Sequence, residues 1–138
     1  MGAMAISGSR NDDPRKLREM LERAANLAQD HSLSSVVVGF AGAEGDLLFP
    51  ELVDFVESAL RVDDTVFRMT RDRVVMVFSD VDESRAREIV DRILNDFRER
   101  FTPVQDPGFR LGFYEIPSDT TELTVKQVLP TLFARSAH

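Results

Sequence analysis

The sequence contains no cysteine and only two histidines among its 138 residues. The first absence excludes a disulfide scaffold, a Cys-type zinc site, a Cys-ligated iron–sulfur centre and a thiol nucleophile together. It is the usage expected of a cytoplasmic chain. The second leaves little for imidazole chemistry, since His31 stands alone in an expected loop and His138 is terminal, so neither a metal site nor a Ser-His-Asp arrangement is expected. Basic charge is also short: 17 Lys and Arg face 24 Asp and Glu, for a net charge of −7. That balance argues against nucleic acid or an anionic membrane held by bulk charge and leaves room only for a local basic site. No run approaches the ~18 apolar residues of a membrane span, and the N-terminus lacks the basic and then apolar pattern of a secretory signal. What is left is one soluble domain of ordinary size. Met1-Gly2-Ala3-Met4 reads as an expression scar, and residues 1–12, rich in Gly, Ser, Asn and Asp, are expected to lie outside a domain spanning 13–138.

Hydrophobic spacing supplies the elements. Leu17, Met20, Leu21, Ala24, Leu27 and Ala28 recur every three or four residues, which predicts a helix from Pro14 to about Asp30 with Asp13 as N-cap. Leu33 to Phe40, with Val36, Val37 and Val38 at its centre, is β-branched and uninterrupted by charge, as in a strand buried on both faces, and Gly39, Gly42 and Gly45 mark the loop that follows. Leu48, Phe49, Leu52, Val53, Val56 and Leu60 form the stripe of a second helix ending near Arg61. Thr65–Met69 and Val74–Phe78 read as a hairpin. Asp80 or Asp82 can cap a long helix carrying Ala86, Ile89, Val90, Ile93, Leu94, Phe97 and Phe101, closed by Pro103. Phe109–Ile116 is a further strand, and Thr121–Ala134 a last helix that Pro130 would kink or restart. The class is α+β: without its terminal helices the order is βαββαβ, a ferredoxin-like core in which an antiparallel sheet carries helices on one face.

The local sequence says more than the architecture, which hosts many activities. Gly45-Asp46 opens the second helix, Arg61-x-x-Asp64 closes it, Arg68 follows on the next strand, and Thr70-Arg71-Asp72-Arg73-Val74 occupies the hairpin. In this register the chain resembles the middle of a GGDEF domain, the diguanylate cyclase family, with the five hairpin residues standing where the signature belongs. Arg110-Leu111-Gly112-Phe113-Tyr114 resembles the family's Ser-Ile-Gly-Ile-Ala strand, and Asp13-Pro14 is similar to the start of its N-terminal helix.

The resemblance implies a degenerate, non-catalytic member. The family's cyclases hold two divalent ions with carboxylates at the end of the first strand and in the hairpin. The corresponding residues are Gly39, Ala41 and Arg73, and of the set only Asp72 is kept. Thr70 and Arg71 replace the two glycines that let backbone approach phosphates. Only Phe40 to Glu44 separate Gly39 from Gly45, so the element that reads guanine in the family is missing.

The Arg-x-x-Asp motif is retained, and in the family it is an inhibitory site for cyclic di-GMP. Its chemistry suits that ligand, because an Arg fork meets a phosphate or the O6/N7 edge of guanine and a carboxylate accepts from guanine N1 and N2. The resemblance therefore implies cyclic di-GMP as ligand of Arg61 and Asp64, with Arg92 as an added cation and Arg85 and Arg87 earlier on the same helix. No other cofactor or metal is expected. Against this stands the reading of Arg61 and Asp64 as an ordinary solvated pair at a helix end. The alternative function is a nucleotide-independent interaction module of bacterial signalling. In that reading the hairpin face or the N-terminal helix would dock an unidentified signalling protein or a second copy of the chain. Asp80, Asp82 and Glu83 fit helix capping better than a cation loop. Phe97, Phe101, Phe109 and Phe113 fit packing better than base stacking.

Overall fold

The computed structural model describes residues 12–42, 48–62, 64–70, 72–100, 110–120 and 123–133. Eight elements follow in the order α1 (Pro14–His31), β1 (Ser35–Ala41), α2 (Leu48–Ala59), β2 (Thr65–Thr70), β3 (Arg73–Ser79), α3 (Glu83–Arg100), β4 (Arg110–Ile116) and α4 (Val125–Leu132). Gly45, Asp46, Arg71, Phe101, Pro103 and Phe109 from the sequence reading lie outside the described residues.

The strands form one sheet in the order β2-β3-β1-β4, antiparallel between all neighbours, as the βαββαβ pattern requires. The two helices of that core, α2 and α3, share one face as expected, and the terminal helices α1 and α4 cover the other. Val36, Val38, Phe40, Val74, Met76 and Phe78 point to the side that also holds Phe49, Leu52, Val56, Val90 and Phe97 of α2 and α3. Their neighbours in alternation, Val37, Val75 and Val77, pack with Leu17, Leu21 and Ala24 of α1 and Val128 and Leu132 of α4. The terminal helices are thus structural layers. The apolar run of β1 follows directly, since all seven of its residues are buried and a strand between two helical layers has no face left for polar residues.

Boundaries moved where caps or packing decide them. Asp13 does cap α1, its carboxylate accepting from the Arg15 backbone N–H at 3.0 Å, and Asp82 rather than Asp80 caps α3 by accepting from Arg85 N–H at 2.8 Å. Asp80 instead takes a left-handed φ of 60°. Asp12 belongs to the fold: its N–H donates to the Arg68 carbonyl at 2.8 Å and its carboxylate accepts from the Arg68 N–H at 2.7 Å. These two bonds occupy backbone groups of the edge strand β2 that would otherwise stay unpaired. A capping box of Thr124 and Gln127 starts α4 at Val125, and the helix runs on through Pro130.

Gly39 lies within β1, not in the loop after it, and pairs across the ladder with Gly112 of β4. The two glycines make a flat seat for the end of α4. A Cβ on Gly112 would overlap the backbone carbonyl of Leu132, and one on Gly39 would sit 2.9 Å from the Leu132 Cβ. Gly112→Ala is expected to destabilise the domain by about 2 kcal/mol or more, and Gly39→Ala by less, since side chains yield more readily than backbone. Urea denaturation of the two variants checks the ranking.

Candidate functional site

The chain between α2 and β2 is tied down by one carboxylate. The Asp64 N–H donates to the Arg61 carbonyl at 3.0 Å, closing a turn whose tip carries Val62, 98% exposed. Asp64 itself points inward, with a side chain only 2% exposed, whereas that of Arg61 is 54% exposed. Asp64 Oδ2 accepts from Arg61 Nε at 3.0 Å and from the Arg61 N–H at 3.3 Å. Oδ1 accepts from Arg61 Nη2 at 3.0 Å and from the Ser79 N–H at 3.3 Å. The same Nη2 donates to the Ser79 carbonyl at 2.8 Å. This is a bidentate, charge-assisted pair that also engages both backbone groups of the last residue of β3.

Arg61-x-x-Asp64 is therefore more than a solvated helix-end pair. The buried member holds the exposed member in one orientation, and both fasten the α2–β2 turn to the sheet. Ser79 was not foreseen, because its part is played through backbone groups brought near by the β2–β3 pairing, which no side-chain pattern announces.

Arg92 is exposed on α3, not turned toward the core, and makes no hydrogen bond or ion pair with Arg61 or Asp64. Of the earlier arginines on that helix, Arg85 pairs with Glu88 at 3.0 Å and Arg87 with Glu83 at 2.8 Å. Arg87 also lies over the Phe113 ring, 4.1 Å from its centroid, so Phe113 is occupied by packing, as is the buried Phe97.

Arg68 is held by two carboxylates. Its guanidinium reaches from β2 to Glu57 at 2.6 Å and Asp54 at 3.2 Å on α2 and is 19% exposed. Burial works against its charge, but the hydrogen bonds and attraction of Glu57 and Asp54 outweigh that and raise its pKa above the usual arginine value. It joins α2 to the sheet.

The β2–β3 hairpin packs against its neighbours on both sides. The β2–β3 ladder bulges between Arg68 and Thr70. The Thr70 hydroxyl donates to Asp72 Oδ1 at 2.9 Å, and the Asp72 carbonyl accepts from the Gly42 N–H at 2.8 Å, so the hairpin is linked to the end of β1. Val74 is buried toward α2, while Arg73 is exposed with its guanidinium 5.1 Å from the Phe133 ring centroid. Ala41, at the end of β1, is paired with Arg73 on one side and Arg110 on the other. Two cations beside an alanine do not fit a divalent-ion site, which needs converging oxygen ligands. Among the described residues no three His, Asp or Glu side chains come together in a way that could hold a metal ion.

Replacing Asp64 by Asn keeps its shape but removes the charge and turns one acceptor into a donor facing Arg61 or Ser79. This variant is expected to lose about 1–3 kcal/mol of stability, read as a lower urea midpoint with an unchanged denaturant slope.

No protein-family model and no curated protein matches the chain. Solved structures do match it. PelD of Pseudomonas aeruginosa, residues 156–455 in the apo form, superposes with a TM-score of 0.63 at 20% identity over 75% of the chain, which spans only 40% of that protein's length. SiaD of the same organism, a diguanylate cyclase solved with its activator SiaC, gives a TM-score of 0.70 at 18% identity, covering 92% of this chain and 54% of SiaD. The GGDEF domain of DgcB from Caulobacter crescentus, solved with cyclic di-GMP, gives 0.64 at 13% identity, covering 86% of this chain and 80% of that one. A four-stranded antiparallel sheet in this order, with two helices on each face and matches of this extent, establishes that the chain has the fold of a GGDEF domain.

Proposed function

We propose that this chain is a non-catalytic GGDEF-type signalling domain that receives cyclic di-GMP at Arg61. The observation that carries the reading is the bidentate Arg61–Asp64 pair, with its carboxylate buried and its guanidinium at the surface. An arginine already held in one orientation loses less side-chain entropy on meeting a phosphate or a guanine edge than a freely rotating one. In this reading Arg61 touches the nucleotide and Asp64 acts as a positioning residue, since its oxygens are engaged by Arg61 and Ser79. Arg92 would join from α3 only on binding. The solved complex of the DgcB GGDEF domain with cyclic di-GMP supports the ligand class. The absence of catalysis is supported by Ala41, Thr70 and Arg73, which place a methyl group, a hydroxyl and a cation where the resemblance calls for carboxylates and a glycine.

A second reading, a protein-interaction module that needs no nucleotide, is favoured by one observation: the Asp64 carboxylate is already saturated by the protein's own donors and has little left for guanine N1 and N2. The solved complex of SiaD with SiaC supports a protein partner as a general arrangement for this fold.

Isothermal titration with cyclic di-GMP separates the two. Saturable heat at micromolar ligand is expected, lost at least tenfold in Arg61→Ala and only partly restored by Arg61→Lys, which keeps the charge but not the fork. Arg92→Ala is expected to weaken binding by a smaller factor. No heat with the parent chain, or equal binding by Arg61→Ala, favours the second reading. Incubation with GTP and Mg²⁺ is expected to yield no cyclic di-GMP, and product formation would sink the non-catalytic assignment.

A further inference from the structure

On the face of the sheet away from α2 and α3, the terminal helices bury Phe67 of the edge strand but leave Met69 partly open. The carboxyl end of α4 is held down on Gly39 and Gly112, over β1 and β4 at the other side of the sheet. Toward β2, α1 and α4 leave between them a groove of about 580 Å³. Its floor is Phe67 and Met69 of β2, and its walls include Leu17 of α1 and Leu129 of α4. Met69 and Leu129 are only partly buried.

Charge at the rim is reversed relative to the molecule. Arg18, Lys126 and Asp12 line the groove; Asp12 is paired with Lys16 at 3.4 Å, whereas Arg18 and Lys126 have no carboxylate partner among the described residues. Their neighbours are paired, Arg15 with Asp13 and Lys16 with Asp12. In a chain of net charge −7, two cations outside any ion pair, with the one lining carboxylate already engaged by Lys16, make a local positive field beside an apolar floor. The chain's own segments outside the described residues at either end do not complement it, because residues 1–11 and 134–138 contain no Asp or Glu.

We infer that this groove docks an amphipathic segment of a partner protein, apolar on the side that meets Met69 and Leu129 and carrying carboxylates that meet Arg18 and Lys126. Helix-in-groove recognition has this form: apolar anchors at three- and four-residue spacing supply the affinity, and flanking charges set orientation and exclude basic competitors. The inference does not rest on Arg61, and its site lies on the other face of the sheet from the helices that frame the nucleotide reading.

The test is selection from a phage-displayed library of random 16-residue peptides on the immobilised full chain at low salt, followed by fluorescence anisotropy of the winning peptides. Enriched peptides are expected to combine apolar residues at helical spacing with an excess of Asp and Glu. Lys126→Glu and Arg18→Glu, both at exposed positions that leave the fold intact, should each weaken them at least fivefold, and Met69→Glu at least tenfold. Arg98→Glu on α3 should leave binding unchanged. Enrichment no greater than on bare support, peptides without an acidic excess, or equal binding by Lys126→Glu would each overturn the inference. So would a dimer at micromolar concentration that Lys126→Glu dissociates, which would give the groove to a second copy of the chain.

Discussion

Seven consecutive buried residues in β1 require helices on both faces of the sheet, and most of the molecule follows from that requirement. Val36, Val38 and Phe40 demand one apolar layer, which α2 and α3 supply between strands, and Val37 demands another, which α1 and α4 supply from the two ends of the chain. Removing either layer would expose a strip of Val, Met and Phe side chains, each contributing roughly 1.5–3 kcal/mol when buried. The terminal helices are therefore as much a part of the folding unit as the βαββαβ core.

That double cover leaves its outer ends and edges for function. The α2–β2 turn emerges below one layer and is fixed by Asp64, whose buried carboxylate organises Arg61 and both backbone groups of Ser79. The hairpin emerges at the opposite end of β2, where Thr70, Asp72 and the Gly42 N–H form a local polar network and Arg73 lies against Phe133. The hairpin end of the sheet is packed and cationic, while the other end is held by a buried carboxylate clasp. On the second layer, seating α4 on two glycines pulls it toward β4 and leaves the β2 side partly open, so a packing constraint at Gly39 and Gly112 creates a groove at Phe67 and Met69.

Much of this was legible in the residues. The 3.6-residue stripes of α1, α2 and α3 and the unbroken run of β1 placed those elements within a few residues, because burial of one face or of two imposes a period that side chains must obey. The cap of α1 was also readable, since a side chain satisfying backbone N–H groups in its own turn is a local interaction. The end of α4 was less so: Thr124 and Gln127 set its start, and Pro130 proved compatible with a short helix whose Pro130 side is exposed. Gly39 was misplaced into a loop because the reason for a glycine there is the side chains of Leu132 and Phe133, more than ninety residues away in the chain.

By itself the sequence determined the secondary structure pattern, the α+β class, the scarcity of carboxylates in the hairpin and the Arg61-x-x-Asp64 spacing at the end of α2, because each of these depends on residue type and local spacing. Only the tertiary structure decided that the sheet is covered on both faces, that Asp64 is buried while Arg61 is exposed, that Ser79 completes their network, that Arg92 stands apart, and that α1 and α4 diverge over β2. Those outcomes depend on which residues distant in sequence meet across a ladder or a helix seat, and on burial that a side chain acquires only once its neighbours arrive.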